Sequence, residues 1–209
     1  MTRIIIADDH DLVRAGLKKL LQGEKGMKVV GEASNGTEVM ELLRKRSCDI
    51  LIIDISMPGR SGLDLLADIR KEHRSVPVLV LTIHPEERFA IRAFRGGAAG
   101  YVTKGRAAAD IVGAIKKIVA GKKYVSEELA ERFASGLDSE DKLPHEYLTT
   151  REFQIMCMLA SNKNAKEIGR ELSISKGTVY SYRVRIMKKM RMRTNVELSH
   201  YALGHRLID

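Results

Sequence analysis

The stretch "RIIIADDHD", residues 3–11, runs three isoleucines directly into the adjacent aspartates Asp8 and Asp9, with Asp11 two residues on. A short β-branched run reads as a buried strand. Like charges side by side repel, so the acid pair at the strand's end calls for a compensating partner. The same grammar recurs along the first 120 residues. Apolar runs end near Glu32 ("VVGEA"), at Asp54 ("ILIID"), at Thr82 ("VLVLT") and at Val102 ("GYV"). Helical patterns lie between and after them: "LVRAGLKKLL", "TEVMELLRK", "SGLDLLADIRKE", "PEERFAIRAFRGG" and "AAADIVGAIKKIVAG". Leu17, Leu20 and Leu21 share a helix face, as do Leu63, Leu66 and Ile69. Five βα units with nearly continuous apolar strands predict a doubly wound α/β domain around a five-stranded parallel sheet. Gly97 and Gly100 bracket a tight entry to the fifth strand.

Doubly wound sheets bind ligands outside the carboxyl ends of their strands, where the strand order reverses. Asp8 and Asp9 close the first strand, Asp54 the third and Thr82 the fourth, while Lys104 follows the fifth. All five polar groups are therefore expected at one sheet edge. Converging carboxylates relieve their repulsion by taking up protons or a cation. A Mg²⁺ ion suits a site of carboxylates, a backbone carbonyl and waters. Such a metal beside a lysine describes a phosphoryl-transfer site, with Asp54 best placed as nucleophile because it ends the central strand before the turn "ISMPG". His10 reads as a helix-start residue at the pocket rim.

The chain's 209 residues suit two modest domains, and 44% hydrophobic with 30% charged residues is ordinary globular composition. No apolar run approaches the roughly 20 residues of a membrane span. Acids at positions 8 and 9 do not fit a signal peptide. Cys48 and Cys157 stand far apart in apolar surroundings, which reads as small packed residues in a reducing compartment. The expected location is the cytoplasm, with no membrane partner.

Charge is uneven. Residues 147–209 hold 12 Lys+Arg against 5 Asp+Glu, a net +7 of the chain's +9, which leaves +2 for residues 1–146. A segment that basic points to a polyanion, with nucleic acid ahead of membrane. Its helix-start signals repeat: Thr149 with Glu152 and Thr194 with Glu197 fit the capping box, Asn164 with Glu167 is a variant, and Ser175 caps a further helix. The tight connection before Ser175 predicts a helix-turn-helix. Between the two halves, residues 123–146 read as a linker with a short helix from Ser126.

The motifs "ADDH", "DISMPGRSG", "LT" and "GYVTK" resemble the receiver domain of two-component response regulators. The segments "LTTRE", "KEI", "LSIS" and "TV", followed by a basic "KK", resemble the LuxR-type helix-turn-helix of the NarL/FixJ family. The resemblance implies a receiver over 1–122, a linker over 123–146 and a DNA-binding domain over 147–209. It implies Asp54 as phosphoacceptor, Asp9, Asp54 and the Ser56 backbone carbonyl as Mg²⁺ ligands, and Asp8 acting through water. Thr82 and Lys104 would bind the phosphoryl group, and Tyr101 would turn inward into the space left as Thr82 moves. On the recognition helix, Ser175, Lys176, Gly177, Thr178, Tyr180, Ser181, Arg183, Arg185, Lys188 and Lys189 are expected to face DNA, while Val179, Tyr182, Ile186 and Met190 form the packing stripe. The sequence departs from the family where many members carry "TVKxH" and this chain has "TVYSY", which leaves open which bases are read.

These features predict a non-enzymatic transcription regulator. A sensor histidine kinase would phosphorylate it, phosphorylation would favour a homodimer, and the homodimer would bind double-stranded DNA sequence-specifically. An alternative is a phosphorylation-independent DNA-binding factor that uses the receiver as a dimerisation platform. A phosphatase of the haloacid dehalogenase type fits less well, because Ser56 stands where a second aspartate is usual. The methionines clustered at "IMCML" and "IMKKMRM" are expected to be adaptable core.

Overall fold

The isoleucine run forms the strand its composition predicts. In the computed structural model, which describes residues 1–57, 62–105, 108–134, 143–205 and 207–208, it becomes β1 (Thr2–Ala7). Four further strands follow: β2 (Met27–Ala33), β3 (Ile50–Ile53), β4 (Val78–Thr82) and β5 (Gly100–Thr103). They pair in the order β2-β1-β3-β4-β5, every pair parallel. Between and after them run α1 (Asp11–Gln22), α2 (Gly36–Lys45), α3 (Gly62–Glu72), α4 (Glu86–Gly96) and α5 (Ala108–Val119). Each crossover helix covers a sheet face, so residues on both sides of β1, β3 and β4 are buried and alternation disappears. Ile4, Ile6, Ile50, Ile52, Leu79 and Leu81 share one core with Leu17 and Leu21 of α1 and Ile111, Ile115 and Ile118 of α5.

The order reverses between β1 and its two neighbours, β2 and β3, and β1–β3 register runs from Ile4↔Ile50 to Ala7↔Ile53. Asp8 and Asp54 therefore leave adjacent strands at the same height. The start of α3 then presses against that edge. A Cβ at Gly62 would lie 2.3 Å from the Asp54 carbonyl oxygen, so only glycine permits this approach.

The chain divides into two compact units, Met1–Ser135 and Gly136–Asp209. Tyr124 donates its amide to the Ala99 carbonyl at 2.9 Å, bridging to β5. The expected helix after Ser126 is α6 (Glu127–Ala134), and the Ser126 hydroxyl accepts the Leu129 amide at 3.1 Å. Both features lie within the first unit, although composition groups them with the linker. The most Gly/Ser/Asp-rich part of that linker, 135–142, and the Pro58–Gly59 turn lie outside the described residues.

The second unit opens with a 3-10 turn (Pro144–Tyr147), followed by α7 (Thr150–Ala160), α8 (Ala165–Glu171), α9 (Lys176–Met190) and α10 (Asn195–Gly204). Phe153, Met156, Leu159, Ile168, Val179, Ile186, Met190, Leu198 and Ala202 are buried. The capping boxes at Thr149/Glu152 and Asn164/Glu167 form as expected. Thr194 caps α10, but the Glu197 carboxylate reaches one residue further and accepts the Arg193 amide at 2.8 Å. The turn between α8 and α9 is tight: a Cβ at Gly169 would sit 2.7 Å from the Ile174 carbonyl, and Ser173 adopts φ +52°. Among the described residues no helix is long and apolar enough to cross a membrane.

Candidate functional site

Parallel pairing brings the strand ends together, and the side chains carried there meet. Asp8 and Asp54 are each only 2% exposed. Buried carboxylates are costly unless paired, and Lys104 supplies the pairing. Its Nζ stands 2.7 Å from Asp8 Oδ2 and 2.6 Å from Asp54 Oδ2. The Lys104 backbone is fixed to β4 by its amide, which donates a hydrogen bond to the Thr82 carbonyl at 2.7 Å. Burial by itself would lower the Lys104 pKa, but hydrogen bonds and charge from Asp54 and Asp8 outweigh it and hold the ammonium above the ordinary lysine value.

The remaining carboxylate oxygens meet a second set of partners. Asp8 Oδ1 accepts the His10 amide at 2.9 Å, and the His10 ring nitrogen lies 3.0 Å from Asp9 Oδ1. Asp54 Oδ1 accepts the Ser56 amide at 3.1 Å. Ligand atoms of Asp8, Asp9, His10 and Asp54 all lie within 4.8 Å of one another. Three carboxylates gathered at that range are hard oxygen donors, and they fit Mg²⁺, which tolerates few protein ligands and keeps several waters. His10, the helix-start residue expected at the pocket rim, stands at the N-cap position of α1 without a side-chain capping bond, and its ring faces the acid cluster.

Thr82 is fully buried and its Oγ1 lies 3.5 Å from the His84 amide. Tyr101 is 2% exposed, with its hydroxyl donating to the His84 carbonyl at 3.0 Å. The inward rotamer, expected of the switched form, is thus the one this structure holds. His84 links the two ends: its ring nitrogen Nε2 is 2.8 Å from Ser56 Oγ, and the ring packs on Phe89 at 4.5 Å. A lone histidine two residues after a strand-ending threonine carries no sequence signal for that bridge.

The second unit exposes its charge instead of burying it. Lys176, Gly177, Thr178, Tyr180, Ser181, Arg185, Lys188 and Lys189 are exposed on α9, whose N-terminus Ser175 caps by accepting the Thr178 amide at 3.0 Å. Val179, Ile186 and Met190 are buried as expected, with Met187 beside them and Tyr182 half-buried under Arg185 at 5.2 Å. Two of the expected DNA-facing cations have partners within the protein. Arg183 is half-buried and donates to Asn195 Oδ1 at 3.0 Å. Lys189 pairs with the buried Glu152 carboxylate at 2.6 Å. Glu152 is held below the usual carboxylate range because Lys189 and the Thr149 amide and hydroxyl outweigh the opposing effect of burial.

Arg151, 3% exposed, reaches from α7 to the Leu172 carbonyl at 2.8 Å and so braces the turn before α9. The "LTTRE" signature is thus architectural at both of its charged positions. Val184, absent from the sequence-based set, is 66% exposed on the same face as Tyr180.

Residues 4–116 match the family described as "Response regulator receiver domain", and residues 146–202 match "Bacterial regulatory proteins, luxR family". The response regulator UvrY of Escherichia coli (strain K12) is 37% identical over 211 residues, covering 100% of this chain and 97% of UvrY. The Salmonella typhimurium response regulator RcsB is 27% identical with a TM-score of 0.60, over 97% of this chain and 98% of that one. A structure of an RcsB–DNA complex is 28% identical with a TM-score of 0.61, over 96% of both chains. With a receiver match over more than half its length and a full-length relative, the chain belongs to the two-component response regulators that join a receiver to a LuxR-type helix-turn-helix, the NarL/FixJ family.

Proposed function

We propose that this chain is a transcription regulator switched by phosphorylation of Asp54, with a receiver over 1–122, a linker over 123–146 and a DNA-binding domain over 147–209. The observation that carries the reading is the Lys104 ammonium held between Asp8 and Asp54 at the ends of adjacent strands. An Asp54 oxygen attacks the phosphorus of a kinase phosphohistidine. The P–O bond forms as the N–P bond breaks, and the imidazole leaves with a proton. Mg²⁺, held by Asp9, Asp54 and the Ser56 carbonyl with Asp8 acting through water, would neutralise charge on the phosphoryl oxygens. Lys104 then turns from its carboxylates toward the added dianion, and the Thr82 hydroxyl donates to it. Tyr101, whose hydroxyl is bonded to the His84 carbonyl just after Thr82, transmits the change to the surface near α4 and β5 by holding or leaving its inward position.

The output is a homodimer, favoured by phosphorylation, whose α9 helices enter successive major grooves of double-stranded DNA about 10 bp apart. Ser175, Lys176, Gly177 and Thr178 approach the phosphates at the helix N-terminus. Tyr180, Ser181, Arg185 and Lys188 extend along the groove, and Arg183 and Lys189 contribute only if they leave their present partners. The phosphodonor is a sensor histidine kinase, and the site of action is the cytoplasm.

The inward Tyr101 favours a second reading, in which the receiver dimerises without phosphate. Labelling with acetyl phosphate in Mg²⁺ and titrating a cognate duplex distinguishes them. Asp54→Asn should abolish the label and remove at least tenfold of phosphate-stimulated affinity. An unlabelled wild-type protein, or an Asp54→Asn variant whose DNA affinity and solution mass match the phosphorylated wild type, would favour the second reading.

A further inference from the structure

The middle of the exposed α9 face carries no cation. At 3.6 residues per turn, Gly177, Tyr180, Ser181, Val184 and Lys188 fall on one stripe, opposite the buried Val179, Ile186 and Met190. Lys188 sits at the stripe's far end. Lys176 and Arg185 lie on opposite flanks, while Arg183 and Lys189 are held by Asn195 and Glu152. What stands at the centre is apolar: Val184 at 66% exposure and, one turn earlier, Tyr180 at 55%. A single exposed valine is unremarkable on most surfaces. Here it is the more exposed of the two large apolar side chains on the outer face of the helix that the DNA-binding reading sends into the major groove.

We infer that Val184 is a specificity-determining residue that reads the C5 methyl group of a thymine. This inference rests on the reading of α9 as the recognition helix. The thymine methyl is the apolar feature that a major groove presents; guanine offers two acceptors there, and cytosine and adenine offer amino donors. A valine pressed against those polar edges would strip their water and return no hydrogen bond. Against a methyl group it buries apolar area on both sides. Ser181 and Tyr180 flank it with hydroxyls that can bond a neighbouring base edge or phosphate, and the flanking cations are left for the backbone. The half-site of this regulator is therefore centred on thymine contact, not on the bidentate arginine–guanine pairing common in major-groove readers.

The test begins with selection of a randomised 30-bp duplex library by the full-length protein in Mg²⁺ and acetyl phosphate. Each thymine of the selected half-site is then replaced singly by uracil, which removes only the methyl. At one position per half-site, uracil should weaken wild-type binding by about fourfold, the worth of one buried methyl group. Val184→Ala should bind thymine and uracil duplexes alike there while keeping salt-sensitive binding to both. Because Val184 is exposed, the variant's fold should be intact, and its thermal midpoint provides the control. Indifference to uracil at every position, or undiminished uracil sensitivity in Val184→Ala, would overturn the inference while leaving DNA binding in place. Failure of the protein to bind any duplex at low salt would remove the DNA-binding reading and this one with it.

Discussion

The acidic pocket and the basic helix solve opposite problems with charge. In the pocket, residues far apart in sequence are driven together under cover, and one lysine is shared between the two buried carboxylates. On α9, cations close in sequence are spread over an exposed face, and Lys176 and Lys188 have no protein partner among the described residues. A buried cluster that shares one cation depends on each of its members, so damage to it appears in folding. An unbalanced exposed surface is stable with or without each of its charges, so damage appears in binding. Stability and affinity should therefore separate cleanly between the two units, and each exception locates a residue that belongs to both.

The largest effect is expected at Lys104. Lys104→Ala leaves the Asp8 and Asp54 carboxylates buried without a cation, and breaking a buried pair costs about 3 kcal/mol or more. Urea unfolding of the full chain in a chelator should show the receiver transition shifted to lower denaturant. Millimolar Mg²⁺ should restore part of the loss, because a ligand that binds only the folded pocket stabilises it. Asp54→Asn in the same background should also restore most of it, since one buried carboxylate no longer opposes the other. An unchanged midpoint in Lys104→Ala would mean that the pocket's balance does not depend on the lysine.

Glu152 and Lys189 form the exception within the second unit. Lys189 lies on the helix expected to face DNA, but its ammonium is spent on a carboxylate that is only 4% exposed. Lys189→Ala should destabilise this unit by about 1–2 kcal/mol at neutral pH, a figure reduced from that of a fully buried pair because the lysine itself is partly solvated. The sign of the pH dependence follows from Glu152, whose folded pKa is lowered. Its contribution is complete above the ordinary carboxylate pKa of about 4.5 and is lost as pH falls through the lower folded value. The gap between wild type and variant in thermal melts should therefore be constant from pH 7 to about 5 and should close below pH 4. A gap that persists at low pH would assign the loss to packing and not to charge.

What was legible in the sequence follows the same division. The strands, their parallel arrangement and the five polar groups at the ends of four of them could be read directly, because an apolar run that gives way to a polar residue encodes both the element and the edge where it stops. The helix caps could be read too, since their partners lie three residues away. The Ser56–His84–Tyr101 connection could not. It depends on which rotamer a buried ring adopts and on a side chain crossing from one loop to another. Nor could the commitment of Arg151, Arg183 and Lys189, whose partners come from Leu172, Asn195 and Glu152. Sequence displays a charge but not its neighbour. For the same reason the sequence does not single out Val184: an apolar residue within a basic helix reads as packing, and only its exposure places it on the outer face.

The smallest effect is also the most discriminating, and it concerns cations on a single helix. Lys188 is exposed with no protein partner among the described residues, whereas Arg183 is half-buried with its Nε on Asn195. Each lysine or arginine that neutralises a DNA phosphate releases counterions and contributes about 0.9 to the slope of log affinity against log salt. Lys188→Ala should reduce that slope by about one unit and leave the melting temperature within experimental error. Arg183→Ala should change the slope by much less and should lower the melting temperature slightly, because it frees Asn195 at the start of α10. Titrations of one duplex at four or five salt concentrations resolve a difference of that size. A full unit lost at Arg183 would mean that the guanidinium leaves Asn195 when DNA arrives, and the boundary between bracing and binding residues on α9 would move one turn toward the core.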